Sequence, residues 1–145
     1  RLVEKFKTKS QKQIEFLINL QVESVYADAE YLEEIFCNLI DNSIKYSNEQ
    51  VEIKISAELN KNYTVIKVQD NGLGIAEKDI HLIFQKFERA SAKSRNRKHG
   101  ASGFGLGLSF VDQAVKAHAG KIFVTSIEGE FTEFAIYLPE ATADV

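Results

Sequence analysis

Cysteine is nearly absent from this 145-residue sequence, whose single thiol is Cys37. Disulfide frameworks and cysteine-based metal sites both need several cysteines, so the sequence excludes them and suits a reducing compartment. No apolar run approaches the length of about 20 residues that a bilayer-spanning helix needs, and no signal-peptide pattern is visible. With 18 basic against 21 acidic side chains, the net charge is −3, which argues against a nucleic-acid partner.

Methionine is also absent, and the sequence begins at Arg1. We therefore expect a piece of a longer protein. Its 44% apolar and 27% charged residues are ordinary for one globular domain, which we assign to residues 1–145. The only proline, Pro139, is predicted to end the last strand.

Hydrophobic periodicity predicts a mixture of strands and helices. Strands are predicted at 14–20, 25–27, 51–59, 63–69, 121–126 and 131–138, with a hairpin joining the third and fourth. Helices are predicted at 29–46 after the N-cap residue Asp28, at 77–87, and at 105–119, where Gly120 is the predicted C′ residue. Residues 1–12 are compatible with a short helix. Mixed strands with helices on one sheet face predict a two-layer α/β sandwich.

One polar stripe lies on the first long helix. Asn38, Asn42 and Lys45 are spaced by four and three residues, which places them on one helical face. The apolar stripe of that helix runs through Leu32, Phe36, Leu39 and Ile40. Two amides and an ammonium on one face fit a metal ion and a polyphosphate, although a solvated polar face is the alternative interpretation.

A carboxylate follows the hairpin on the strand face that is predicted to be buried. Val51, Ile53, Ile55, Ala57 and Leu59 point to the core, as do Ile66 and Val68, and Asp70 continues their parity. A buried carboxylate needs donors, and the exocyclic amine of adenine is one. Gly72 and Gly74 let backbone approach a flat ring, although turn geometry alone also explains them.

Alternate glycines precede the last helix. Gly103, Gly105 and Gly107, with Leu106 and Leu108 between and after them, expose backbone N–H groups at the positive end of a helix dipole. This pattern predicts a phosphate cradle, with a flexible linker as the alternative. No Gly-Lys-Ser/Thr follows, so it is not a P-loop.

A basic segment without periodicity lies between residues 88 and 103, before these glycines. Arg89 stands where it begins and is placed to reach a γ-phosphate. The nearby Phe84 is predicted to be a core residue.

Together these motifs resemble the catalytic ATP-binding domain of sensor histidine kinases, in the superfamily of gyrase, Hsp90 and MutL. The asparagine box matches at Asn38, Asn42, Lys45 and Tyr46, and the first glycine box at Asp70, Gly72 and Gly74. The phenylalanine box matches at 84–89, and the second glycine box at Gly103, Gly105 and Gly107. Phe104 departs from the family's frequent small residue. The resemblance covers about 14–138 and implies the Bergerat-type ATP-binding fold.

The resemblance implies a role for each matched residue. Asp70 takes the adenine amine, Asn42 ligates Mg²⁺ with Asn38 beside it, and Lys45 and Arg89 contact phosphates. Residues 91–102 are the ATP lid. The implied catalytic residues are Asn38, Lys45 and Arg89. The implied nucleotide contacts are Asn38, Asn42, Lys45, Tyr46, Asp70, Gly72, Gly74, Ile75, Phe87, Arg89, Gly103, Gly105, Leu106, Gly107 and Leu108.

Position 38 distinguishes branches of this superfamily. Hydrolytic relatives carry a glutamate there, whereas Asn38 cannot accept a proton at neutral pH. The resemblance therefore implies ATP–Mg²⁺-dependent phosphotransfer to a histidine. His81, His99 and His118 do not lie in a setting like the family's phosphoacceptor. The acceptor is expected on a separate dimerisation domain joined through residues 1–12.

The implied partners are ATP and ADP, the dimerisation and phosphotransfer domain of a homodimeric kinase, and a response regulator. The implied location is the cytoplasm, and a membrane-bound sensor is one option for the full protein. Two alternatives stay open: a degenerate module that holds nucleotide without phosphotransfer, and a related kinase that acts on serine.

Overall fold

A mixed five-stranded sheet frames the computed structural model, which describes residues 12–84 and 107–140. The strands are β1 (Gln13–Leu20), β2 (Gln50–Asn60), β3 (Tyr63–Asp70), β4 (Lys121–Ile127) and β5 (Phe131–Pro139). Their order in the sheet is β1-β2-β3-β5-β4. β1 pairs parallel with β2, and the other neighbours are antiparallel. The predicted α/β fold class is confirmed.

Two α-helices pack against this sheet, α1 (Ala29–Lys45) and α2 (Gly107–Ala117). α1 begins as predicted, because Asp28 Oδ1 accepts hydrogen bonds from the backbone N–H groups of Glu30 and Tyr31 at 2.9 and 3.1 Å. Each helix buries an apolar stripe between itself and the alternating core residues of the sheet. The most buried of these side chains are Ile35, Leu39, Ile40, Ile53, Val68, Val111, Val115, Phe134 and Ile136.

Two predicted elements and the predicted burial of one residue differ from the structure. Residues 25–27 form no strand, and half-buried Val25 and Ala27 instead pack against the core from an irregular connection. The helix predicted from residue 77 is a 3₁₀ helix, Glu77–Leu82, whose start at Ala76 lacks a side-chain cap. Leu59 was predicted to face the core but is 58% exposed, because β2 continues beyond the helical layer. Phe84 is half-buried and meets Phe134 edge-on, as a core residue should.

The end of α2 corrects another prediction. Ala119, not Gly120, has the left-handed conformation, with φ of 62°. Backbone N–H groups of Ala119 and Gly120 donate to the carbonyls of Lys116 and Val115, both at 2.9 Å, which is the Schellman pattern. Gly120 is needed for a different reason, since a Cβ there would collide with the Tyr137 carbonyl.

Several sequence predictions fall outside the described residues. They are residues 1–11 of the predicted connection, the predicted lid at 91–102, and the individual residues Phe87, Arg89, Gly103, Gly105 and Leu106. Among the residues that are described, no helix is long and apolar enough to cross a membrane.

Candidate functional site

Asn38 links the polar face of α1 to the start of α2. Its Nδ2 donates to the Glu34 carbonyl at 2.8 Å, which leaves Oδ1 directed away from its own helix turn. A Cβ added to Gly107 would lie 2.8 Å from that oxygen. The first turn of α2 therefore abuts Asn38, and glycine permits this close approach.

Lys45 places a buried cation on the same helix. Its Nζ is inaccessible to solvent and has no hydrogen-bond partner within the described part of the chain. Asp41 Oδ2 lies 3.7 Å away, beyond ordinary hydrogen-bond distance. Because a buried ammonium is costly unless its donors are paired, a polyanion beside α1 would satisfy it.

Asp70 provides a buried carboxylate at the end of β3. It is 6% exposed, which confirms that it points inward, and the Gly72 N–H donates to its Oδ1 at 2.8 Å. Burial raises the pKa of this carboxyl, while the backbone of Gly72, the nearby Ser43 hydroxyl and the backbone of Thr132 lower it in part. Two carboxylate oxygens accept about four hydrogen bonds, so capacity remains for an amine donor.

Two buried hydroxyl groups near Asp70, those of Ser43 and Thr132, were not predicted from the sequence. Ser43 is 2% exposed, and its Oγ makes no hydrogen bond of good geometry to the residues described. Thr132 pairs with Asp70 across the β3–β5 ladder, and its Oγ1 lies 2.9 Å from Ser126 Oγ. Ser43 follows Asn42 on the core side of α1, where a small residue attracts no notice. Thr132 becomes visible only when the strand order is known.

The loop after Asp70 is fixed to the end of α1. The Leu73 N–H donates to the Tyr46 carbonyl at 2.9 Å. A Cβ on Gly72 would lie 2.5 Å from that same carbonyl oxygen, so only glycine fits without displacement. Gly72 thus lets its backbone contact the end of α1. This contact is a second reason for glycine at position 72, besides the predicted approach to a flat ring.

The same loop is also fixed to the β4–β5 hairpin. Gly74 has φ of 73°, and a Cβ there would collide with the Ile127 backbone. The Ile75 N–H donates to Ser126 Oγ at 2.8 Å, and the Gly129 N–H donates to the Leu73 carbonyl at 2.6 Å. The end of α1 and the β4–β5 hairpin therefore both hold this loop in place.

The predicted residues lie at two ends of one helical face. Asn38 lies beside Gly107, and Tyr46 lies eight residues further along beside Gly72, about 12 Å away at the helical rise. The cation of Lys45 lies between them in sequence. Leu108 was implied to contact nucleotide, and its side chain is 8% exposed and belongs to the hydrophobic core.

Among the described residues, no group of three or more His, Cys, Asp or Glu side chains is arranged to hold a metal ion. The arrangement supplies a buried acceptor and a buried cation near the end of α1, with the amides of Asn42 and Asn38 further back along the same helix. This distribution suits a ligand that has a flat, amine-bearing base and a polyanionic tail.

Comparisons with known proteins place this geometry in a family. Residues 27–142 match the family of histidine kinase-, DNA gyrase B- and HSP90-like ATPases. The chain is 34% identical over 142 residues to the sensor histidine kinase WalK of Bacillus subtilis, covering 95% of the chain and 23% of that protein. It is 35% identical over 134 residues to the WalK sensor kinase of Staphylococcus saprophyticus, covering 90% and 22%. The chain thus spans less than a quarter of these curated relatives.

Solved structures share the fold. The mycobacterial sensor histidine kinase MprB superposes with a TM-score of 0.78 at 25% identity, over 95% of this chain and 89% of that one. The catalytic domain of histidine kinase ThkA gives a TM-score of 0.76 at 27% identity, over 96% and 86%. The chain belongs to the family of histidine kinase-, DNA gyrase B- and HSP90-like ATPases, as a catalytic ATP-binding domain of the sensor histidine kinase type.

Proposed function

We propose that this domain binds ATP with Mg²⁺ and transfers the γ-phosphoryl group to a histidine on the dimerisation domain of its own kinase. The observation that carries the proposal is the buried Lys45 ammonium, which has no hydrogen-bond partner in the described residues, on the helix that also presents Asn38 and Asn42. Phosphate oxygens would supply its missing acceptors. The buried Asp70 carboxylate would accept the adenine amine.

Mg²⁺ fits the side chains available. The ion prefers oxygen ligands and is commonly held by one or two protein groups together with phosphates and water. Asn42, half-buried on α1, would supply an amide oxygen. The bound ion would neutralise charge that develops on the phosphates.

Asn38 favours phosphotransfer over hydrolysis. Its amide is neutral and cannot act as a general base toward water. The hydrogen bond from Nδ2 to Glu34 and the contact with Gly107 hold it beside the α2 N-terminus. Asn38 would therefore orient a phosphate without activating water, while positioning and charge neutralisation supply the catalysis.

The phosphoacceptor is proposed to lie on another domain. Both ring nitrogens of His118 are already engaged, with the Asp28 N–H at 3.1 Å and the Ala114 carbonyl at 2.8 Å. His81 is exposed on the 3₁₀ helix, and its sequence setting does not resemble that of the family's phosphoacceptor. We further propose that the full protein is a homodimer, passes the phosphoryl group to a response regulator, and keeps this domain in the cytoplasm.

Phosphotransfer is tested with the histidine-bearing helical hairpin encoded by the same gene. The domain, the hairpin and γ-labelled ATP–Mg²⁺ should yield an acid-labile, base-stable phosphohistidine on the hairpin. The Asn42→Ala variant is the matched control and should yield none. ATP binding without label transfer would identify a nucleotide-holding module, and an acid-stable product would identify a serine kinase.

A further inference from the structure

A lysine just before β1 reaches across to the end of α1. Lys12 Nζ donates to the Ile44 carbonyl at 2.6 Å and to the Ser47 carbonyl at 2.9 Å, with Ser47 Oγ at 3.4 Å. These residues are 32 and 35 positions away in sequence. Because α1 ends at Lys45, the Ile44 carbonyl lacks an intrahelical partner, and a cation here also complements the helix dipole.

The two anchoring carbonyls bracket two candidate site residues. Lys45 and Tyr46 lie between Ile44 and Ser47, so the contacts of Lys12 hold the backbone on both sides of them. The Tyr46 N–H donates to the Asn42 carbonyl at 3.1 Å, and the Tyr46 carbonyl accepts from Leu73 at 2.9 Å. A displacement of this backbone would therefore move both the helix face and the loop that follows Asp70.

We propose that Lys12 is a positioning residue for the nucleotide site, which acts by fixing the backbone around Lys45 and Tyr46. This inference rests on the proposed function. Lys12 would act through the two carbonyls rather than by binding the nucleotide itself. Coupling between two positions is reciprocal in binding free energy, so nucleotide should in turn favour the docked position of Lys12.

Arginine and methionine substitutions separate this role from packing. Lys12→Met keeps an unbranched side chain but removes the donors, and it should weaken ATP–Mg²⁺ binding about fivefold in calorimetry, at the low end of known couplings. Lys12→Arg keeps the cation and should restore affinity to within about twofold. Lys54→Met, an exposed lysine of β2, is the matched control and should leave affinity unchanged.

A ligand-free measurement distinguishes this inference from the proposed function. Amide hydrogen exchange of Leu73, which donates to the Tyr46 carbonyl, should accelerate in Lys12→Met and not in Lys54→Met. If the unchanged chain fails to bind ATP while this exchange difference holds, the proposed function fails and the backbone coupling stands. Unchanged affinity and unchanged Leu73 exchange in a folded Lys12→Met variant would overturn the inference.

A purely structural role for Lys12 has a different signature. It would lower the midpoint of thermal unfolding while leaving ATP affinity at 25 °C intact, because the variant stays folded at that temperature. Ser47→Ala provides a second control. It removes the 3.4 Å contact with Lys12 and the 2.7 Å hydrogen bond from Ser47 Oγ to the Ile44 carbonyl, but it keeps both carbonyls for Lys12. If Lys12 is the group that holds this backbone, ATP affinity should stay within about twofold of the unchanged chain.

Discussion

At the scale of single residues, Asp70 combines burial with a specific hydrogen bond. The Gly72 N–H fixes Oδ1, so the carboxylate has a defined orientation at the end of β3. Asp70→Asn replaces an acceptor-only group by one that also donates. We expect the fold to persist and ATP affinity to fall by about tenfold or more, since an unpaired buried donor costs about 1–3 kcal/mol. Calorimetry on the folded variant measures this, and unchanged affinity would remove Asp70 from the site.

The raised pKa of Asp70 gives the same variant a pH signature. An acid whose pKa is raised on folding holds its proton more tightly in the folded chain, so folding is favoured as pH falls through the raised pKa. This contribution is complete below the ordinary value of 3.8 and is lost as pH rises. Asp70→Asn does not titrate there. Its stability relative to the unchanged chain, measured by urea unfolding, should therefore increase as pH rises above 3.8 through the raised pKa. A pH-independent difference would contradict the raised pKa.

Asn38 and Asn42 look equivalent in sequence and differ in structure. Asn38 already donates to Glu34 and abuts Gly107, whereas Asn42 is the proposed Mg²⁺ ligand. Asn42→Ala should remove the Mg²⁺-dependent part of nucleotide affinity, a loss of at least about tenfold or 1.4 kcal/mol. Asn38→Ala should cost distinctly less. Titrations of ADP with and without Mg²⁺ measure both losses, and equal losses would mean that the two roles are wrongly divided.

At the scale of elements, His118 joins the beginning of α1 to the end of α2. Its Nε2 accepts from the Asp28 N–H and its Nδ1 donates to the Ala114 carbonyl, so this pattern requires the neutral ring protonated at Nδ1. The ring also meets Tyr31 edge-on at 5.8 Å between centroids. The two helices that carry the candidate site are thus tied together at the ends remote from the Asp70 loop.

His118→Phe should test this tie. Phenylalanine keeps the edge-on contact with Tyr31 and removes both hydrogen bonds, so we expect a loss of about 1–2 kcal/mol in the free energy of unfolding. Urea denaturation measures it. His81→Phe, at an exposed position, is the control and should change stability by no more than about 0.5 kcal/mol. Similar small effects in both variants would show that the tie contributes little.

Individual elements differ in how far their sequence predicts them. β2 was predicted well because one of its faces is buried and the other is not, which imposes a period of two. β3 was predicted although Val65 on its second face is buried as well. Leu59 continues that pattern beyond the helices, where alternation no longer means burial. Gly120 was predicted to have the left-handed conformation, but Ala119 has it. The reason is a tertiary contact of Gly120. The Tyr137 carbonyl demands glycine at position 120, and no local signal reveals it.

At the scale of the whole molecule, ligand binding and stability are linked. A ligand that binds only the folded chain stabilises it by about 2.7 kcal/mol at 100 times its dissociation constant. ATP–Mg²⁺ should therefore raise the midpoint of thermal unfolding in a concentration-dependent way. Lys45→Met should abolish most of the rise, because it removes the buried cation proposed to contact phosphate. Lys54→Met should retain it, and an equal rise in both variants would exclude Lys45 from the site.

The candidate site as a whole was only partly predictable. Asn38, Asn42 and Lys45 share a helix, so their common face follows from spacing alone. The pairing of Asp70 with Thr132 does not, since it needs β5 to lie between β3 and β4 although β4 precedes β5 in the chain. Ser43 and Lys12 were missed for a related reason. Their importance comes from neighbours that are distant in sequence.

The position of β5 between β3 and β4 has a consequence for the folding of the domain during its synthesis. Thr132, and the Ser126 hydroxyl and Gly129 N–H that hold the Asp70 loop, belong to a hairpin whose second strand, β5, lies between β3 and β4. Because synthesis proceeds from the amino terminus, α1, β2 and β3 emerge well before Phe131–Pro139 does. If Asp70 is the adenine acceptor, we expect the nascent chain to bind nucleotide only after β5 has paired with β3, so that nucleotide binding would serve as a late marker of folding.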